Sequence, residues 1–319
     1  MIDGVVAGLA SGTAYAILAV CVVVLYRLVG VLNFAQAALG AFGAYLCYAI
    51  AGAGVPLGLA ALAGLAAAGL IAGLVGWVLA RWFWAPTTTE RAVVSVVLLI
   101  VLLAAGFRLF GDTPRVMPSL LPDLVFTVGG VRISLTTVVA LALALAIAVG
   151  VSALMKYTHV GIRLQAMSER PTTVQLLRVN SRVLSIGAWA GTGIVSTLAL
   201  LLVAPARNQT FESMSFLVIP ALAAALLGGF SNIWIAAGGG LAIGAIEGAA
   251  ARIDGLASYR GALPFVLIIV ALIWLRRRRV WDEARYCNAH RHRRIHRGAG
   301  GARADPPGLL GLSAVDRGD

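Results

Sequence analysis

The chain has 319 residues, 60% of them hydrophobic and 12% charged, with a mean hydropathy of +0.93 and a formal net charge of +12. That composition is far outside soluble globular usage, so a water-soluble domain is excluded. The positive charge does not mark a nucleic-acid partner. Eleven of the 25 basic residues lie at or after Arg276, and the rest fall mostly between apolar runs, the distribution expected of loops under the positive-inside rule.

A spanning helix needs about 20 mostly apolar residues. In chain order, candidate spans run roughly over 4–26, 33–51, 56–80, 92–110, 134–155, 183–204, 216–230, 234–250 and 263–275. The apolar runs are continuous rather than alternating, so a β-barrel does not fit. Their Ala, Gly, Leu and Val content suits closely packed helices. The pair meeting around 228–233 is short and glycine-interrupted, which sets the count at eight or nine crossings. The predicted fold class is therefore all-α: a polytopic membrane protein with some broken or short glycine-rich helices. The first 26 residues lack the basic start and small-residue cleavage site of a removable signal and read as a retained span. Cys21 and Cys47 fall inside spans and Cys287 near the C-terminus, so no disulfide framework is indicated.

The longest polar stretch between two spans is 156–182, which carries Lys156, Arg163, Arg170, Arg178 and Arg182. Placing it and the run Arg276–Arg279 in the cytoplasm gives a self-consistent topology of nine crossings, N-terminus out and C-terminus in. From Arg163 onward, Leu164, Met167, Pro171 and Val174 form a stripe on one helical face. Pro171 belongs in a first turn rather than a helix interior, so two short helices meeting near Ser168–Pro171 are expected. An ordinary amphipathic connector on the membrane surface is the other reading.

Several motifs are missing. No G-x-x-x-x-G-K-[ST] phosphate loop is present, and the only lysine, Lys156, follows Ala-Leu-Met. Neither H-E-x-x-H nor G-x-S-x-G occurs, and His159 is the only histidine before the tail. The expectation is a chain that is not an enzyme, uses no cofactor or metal, and has no means of hydrolysing ATP by itself.

Polar residues inside the spans are few. Asn33 and Gln36 share a face where a new apolar helix begins. One reading makes Asn33 a helix cap and the pair an interhelical hydrogen bond; the other makes them the polar lining of a substrate path at a broken helix. Glu247 stands among Leu241, Ile243, Ala245 and Ile246, where a carboxylate costs about 3 kcal/mol on insertion scales. It should face the bundle interior, a partner base or the outer interface. A structural pairing with Arg252 or another subunit is favoured over direct substrate contact. The candidates for a translocation path are Asn33, Phe34, Gln36, Tyr45, Gly228, Gly229 and Glu247.

The segment Arg27-Leu28-Val29-Gly30-Val31-Leu32-Asn33-Phe34-Ala35-Gln36, followed by Gly43-Ala44-Tyr45, resembles the N-terminal signature of branched-chain amino acid ABC transporter permeases of the LivH type. Gly12-Thr13-Ala14-Tyr15-Ala16-Ile17-Leu18-Ala19 is similar to that family's opening helix. Leu227 to Asn232, then Gly238 to Gly244, resemble its late glycine-rich pair, and Leu263 to Arg276 its final span. The likeness covers about residues 5–279 in the right order and spacing. It implies an inner-membrane, multi-pass permease subunit of an importer for branched-chain or other small amino acids. The implied partners are a second, LivM-like permease, cytoplasmic ABC ATPase subunits and a periplasmic substrate-binding protein.

In the resembling permeases the position of 156–182 is an EAA-type loop that docks on the ATPase. Aligned on Thr158, Gly161, Ala166 and Asn180, the implied coupling residues are Gly161, Arg163, Ala166, Glu169, Val174, Leu177, Arg178 and Asn180. The chain departs from the pattern where alanine and then glycine are usual, at Val174 and Arg178. It also has Thr172-Thr173 for Glu-Ala, and Gln165 for the usual basic residue. Two alternatives follow from these residues. An ion-coupled secondary transporter or channel acting alone would rely on Glu247; a degenerate, non-transporting paralogue would explain the altered loop.

Beyond the permease domain, 1–279, the tail at 280–319 is basic and rich in Arg, Gly and Pro, and reads as disordered. Its Cys287, His290, His292 and His296 have a spacing that matches no zinc motif.

Overall fold

The structure is a computed structural model. It describes residues 2–82, 88–122, 124–128, 131–158, 161, 181–206, 209–253, 255, 261–270 and 272–273. The chain divides into a unit of residues Met1–Ala271 and a second, Leu272–Asp319, of which the description covers 272–273. The predicted properties of the 280–319 tail therefore lie outside the described residues.

Among the described residues the first unit holds nine α-helices: α1 Ile2–Val29, α2 Gln36–Gly52, α3 Leu57–Trp82, α4 Thr88–Phe110, α5 Leu135–Tyr157, α6 Ser181–Val203, α7 Phe211–Ser215, α8 Val218–Leu227 and α9 Ile233–Ala250. A further helical stretch covers 263–270. Six helices are long and apolar enough to cross a membrane, and two shorter apolar segments, Gln36–Gly52 and Phe211–Leu227, lie between them. The chain is an all-α polytopic membrane protein, as its sequence predicts.

Small residues decide how these helices meet. Gly4, Gly8 and Gly12 recur every four residues on α1, and Gly240, Gly244 and Gly248 do so on α9. A four-residue repeat keeps one face of a helix bare, so the two backbones touch. A Cβ added at Gly12 would stand 3.1 Å from the Leu241 Cα, and one at Gly4 2.6 Å from the Gly248 carbonyl oxygen. One at Gly8 would collide with the Gly244 carbonyl. Because Gly4 meets Gly248 and Gly12 meets Leu241, the helices run antiparallel. The same device joins α3 to α6, where Gly76 lies against Trp189 and Gly69 against Ile194, and α2 to α6, where Gly40 lies against Ser196. The result is a bundle in which 89% of the α1 membrane-length segment is buried, against 17% for α4 and 22% for α5.

These pairings alternate the chain direction. The C-terminal ends of α2 and α4 meet the turn after α6 at one end, where Arg115 and Gln209 form an antiparallel bridge and Arg115 lies 5.2 Å over the Tyr48 ring. At the other end Tyr26, closing α1, stacks 5.2 Å from Phe230 in the turn between α8 and α9.

Two local features depart from the expected spans. Between α4 and α5 the chain forms a hairpin, β1 Val125–Val128 and β2 Val131–Ser134, with Val125 opposite Ser134 and Val128 opposite Val131. Its signal was in the sequence: Gly129-Gly130 between two β-branched runs. Ser134 then caps α5 by accepting from the Thr137 N–H at 3.2 Å. The expected span at 216–230 holds one helix, α8, and a separate short helix, α7, precedes it, with a break at Phe216 and Leu217. Pro220 accounts for the break, because it has no N–H to donate to Phe216 and its ring clashes with that carbonyl in a continuous helix. The Phe216 carbonyl accepts from Ile219 instead, at 3.0 Å.

Candidate functional site

The break between α7 and α8 opens a cavity of about 680 Å³. Ser213, Phe216, Leu217, Ile219 and Pro220 supply one wall. The α1–α9 pair supplies another through Gly4, Gly8, Tyr15, Glu247, Gly248 and Arg252, and Pro264 and Phe265 complete it. It lies toward the end of the bundle where α1 begins and α9 finishes. The volume falls within the roughly 300–1,000 Å³ of small-ligand sites, and its mostly apolar lining with a few convergent polar groups is typical of them. Its placement beside a discontinuous helix also matches where transporters build substrate sites.

Within it the Tyr15 hydroxyl donates to Glu247 Oε2 at 2.8 Å. This bond joins α1 to α9 next to their glycine contacts, and it is possible because the helices are close enough for a tyrosine to cross. A buried or half-buried carboxylate is tolerated when such donors offset its desolvation. Arg252 reaches the same cavity. Its Cγ lies 2.7 Å from where a Gly4 Cβ would be, so the bare glycine lets the arginine stem lie across α1.

Of the path residues expected from sequence, Glu247 lines this cavity; the others are engaged elsewhere within the chain. Asn33 and Gln36 are both fully buried. Asn33 Oδ1 accepts from the Ala35 N–H at 3.0 Å and closes the turn before α2; it does not cap the helix as expected, because the N-cap position is Ala35, which has no side-chain cap bond. Asn33 Nδ2 donates to Gln36 Oε1 at 2.8 Å. Gln36 Nε2 donates onward to Ser196 Oγ at 2.6 Å and to the Thr192 carbonyl at 3.0 Å. The pair is an interhelical clasp from the start of α2 to α6. Phe34 is half-buried in the same turn. Tyr45 donates to the Gln209 carbonyl at 2.7 Å and packs among Phe110 and Phe211, fastening α2 to the turn after α6.

Gly228 and Gly229 end α8 in a Schellman turn. The Phe230 N–H reaches the Ala225 carbonyl at 2.9 Å and the Gly229 N–H the Leu226 carbonyl at 2.8 Å, with Gly229 at φ +58°. Asn232 then caps α9 by accepting from Trp234 and Ile235 at 3.0 and 3.2 Å.

At the other polar segment, Thr158 ends α5: its hydroxyl donates to the Leu154 carbonyl at 2.5 Å and accepts from the Gly161 N–H at 3.1 Å. A Cβ on Gly161 would collide with the Leu154 carbonyl and stand 2.6 Å from the Met155 Cα. The Thr-x-x-Gly spacing thus folds the chain back on the last turn of α5 as it leaves the bundle. Arg163, Ala166, Glu169, Val174, Leu177, Arg178 and Asn180, and the two short helices expected near Ser168–Pro171, lie outside the described residues.

Sequence reasoning did not nominate Tyr15 or the α7–α8 break. Both had signals: Tyr15 is a polar-tipped aromatic in a small-residue helix, and Pro220 sits four residues after Phe216 in an apolar run.

Residues 4–272 match the family described as branched-chain amino acid transport system / permease component. Similar curated proteins include the high-affinity branched-chain amino acid transport system permease protein BraD of Pseudomonas aeruginosa, 26% identical over 284 residues, covering 84% of this chain and 91% of that protein. The LivH permease proteins of Salmonella typhimurium and Escherichia coli are each 25% identical, over 286 and 287 residues, covering 83% of this chain and 91% of theirs. The match spans α1 to the last described helical stretch and includes every wall of the cavity. The chain belongs to the branched-chain amino acid transport system permease family.

Proposed function

We propose that this chain is the inner-membrane permease subunit of a bacterial ABC importer that carries branched-chain or other small amino acids. The observation that carries the reading is the family match over residues 4–272, which takes in the whole helical bundle. A cavity beside a broken helix, apolar with one carboxylate and one guanidinium in its lining, supports a small-molecule path through or beside this subunit.

In this reading a periplasmic binding protein delivers the ligand to the end of the bundle where the cavity lies. A second permease subunit completes the path. ATP closure of two cytoplasmic ATPase subunits drives alternating access through the segment 156–182. Selectivity lies mainly with the binding protein, and the permease domain is residues 1–279.

Purification of the tagged chain from native membranes tests the assignment. A stable complex with a P-loop ATPase and a second permease is expected, together with leucine uptake into proteoliposomes that stops without ATP. Uptake by this chain alone, driven by a proton or sodium gradient, would overturn it.

A further inference from the structure

Resting on the amino-acid reading above, we infer that the α7–α8 wall of the cavity is a subsite for the hydrocarbon side chain of the substrate. It gives this subunit a selectivity of its own against side chains that carry hydrogen-bond acceptors, and Phe216 and Ile219 are its specificity-determining residues.

A broken helix ordinarily leaves backbone N–H groups free at the start of its second half, where they hold a polar or anionic ligand. This break withholds them. Five residues from α7, the break and α8 line the cavity: Ser213, Phe216, Leu217, Ile219 and Pro220. The Phe216 N–H donates to the Glu212 carbonyl at 3.0 Å, the Leu217 N–H to the Met214 carbonyl at 3.3 Å and the Ile219 N–H to the Phe216 carbonyl at 3.0 Å. Pro220 has no N–H to give. Ser213 is taken up by the capping box of α7: its N–H donates to the Thr210 hydroxyl at 3.1 Å and its own hydroxyl to the Thr210 carbonyl at 2.9 Å. Every donor of the five is therefore engaged within the chain.

What this wall presents to a ligand is hydrocarbon, from Phe216, Leu217 and Ile219, and Phe265 continues it from the last helical stretch. The ionisable side chains of the lining, Glu247 and Arg252, come from α9 and the residues after it, not from this wall. An aliphatic side chain laid on the wall gains free energy in proportion to the apolar area it buries. An amide or carboxylate laid there gives up its hydrogen bonds to water and meets no donor in exchange. Both effects favour the same ligand. A cavity of about 680 Å³ has room for either side chain, so the discrimination works by polarity and not by size.

Competition binding to the purified full transporter complex in nanodiscs, without binding protein, tests the subsite. Labelled leucine is the tracer, and unlabelled leucine and asparagine, which have nearly the same shape, are the competitors. The wild-type complex should prefer leucine by about tenfold or more. Phe216→Tyr keeps the ring and adds an O–H donor to the wall, and Ile219→Asn adds an amide donor. Each should strengthen asparagine binding by about threefold or more and leave leucine within about threefold. Such a gain cannot come from misfolding. If Ile219→Asn does not assemble, the conservative Phe216→Tyr decides alone. An unchanged leucine-to-asparagine ratio in the assembled variants, or a wild-type complex without the preference, would overturn the subsite. So would a complex that transports leucine with its binding protein yet binds neither amino acid without it. A complex that transports no amino acid but does transport another solute would defeat the substrate reading itself, not merely these residue roles.

Discussion

Helices α1 and α4 are both continuous apolar spans, and α4 is the more hydropathic, yet 89% of α1 is buried within the bundle and 17% of α4. In water the greasier helix would go inside. In a bilayer the lipid is as apolar as the protein interior, so hydrophobicity does not sort helices between core and periphery; close packing and interhelical hydrogen bonds do. The α1 sequence supplies Gly4, Gly8, Gly12 and Ala16 on one face, plus Tyr15 as a bonding group. In α4, Val93, Val96, Val97, Ile100 and Val101 are large and remain exposed. The α1–α9 contact is therefore made by the smallest side chains, while larger ones such as Ile17, Leu18 and Trp189 fill the space around the glycine contacts.

The largest test of that contrast is Gly8→Leu or Gly244→Leu. Either forces the α1–α9 backbones apart and should cost about 3 kcal/mol or more, read as loss of folded protein in mixed-micelle unfolding. Near wild-type stability would mean the glycine contact does not govern the interior. Next comes Gln36→Leu, which leaves the Asn33 amide and Ser196 hydroxyl without their buried partner. A loss of about 2 kcal/mol is expected by the same measurement. If the amide pair instead served only transport, uptake would fall with no change in unfolding. Gly229→Ala should lose about 1 kcal/mol because its φ of +58° disfavours a Cβ. No change there would argue that the α8–α9 turn relaxes. At the other extreme, Val97→Ile and Ile100→Val on α4 should move stability by less than about 0.5 kcal/mol. A large effect on the isolated subunit would show that the α4 face is packed after all.

Much of this was legible from the chain itself. The spans from 4–26 to 234–250 correspond to helices because a membrane-length apolar run has few other conformations available to it. The clasp by Asn33 and Gln36 was one of two readings of a buried amide pair, and its hydrogen bonds now answer to Thr192 and Ser196, more than 150 residues away. No local pattern names such partners. The hairpin at Val125–Ser134 and the α7–α8 break had signals in Gly129-Gly130 and Pro220 that hydropathy alone passes over. The carboxylate of Glu247 was marked from its cost in an apolar run, but a neighbour in sequence, Arg252, was the partner nominated; the tertiary fold brought Tyr15, 232 positions away, into contact.

The sequence by itself determined the class of the protein, its helical spans and the absence of a phosphate loop, because these depend on composition and on short-range steric rules. It also carried the likeness by which the family is known. Only the tertiary structure decided which glycines touch, which polar groups are spent on holding helices together, and that Tyr15, Glu247 and Arg252 share one cavity with the broken helix. Those outcomes depend on contacts between segments far apart in the chain, and in a membrane they are selected by the fit of backbone against backbone, which a hydropathy pattern does not encode.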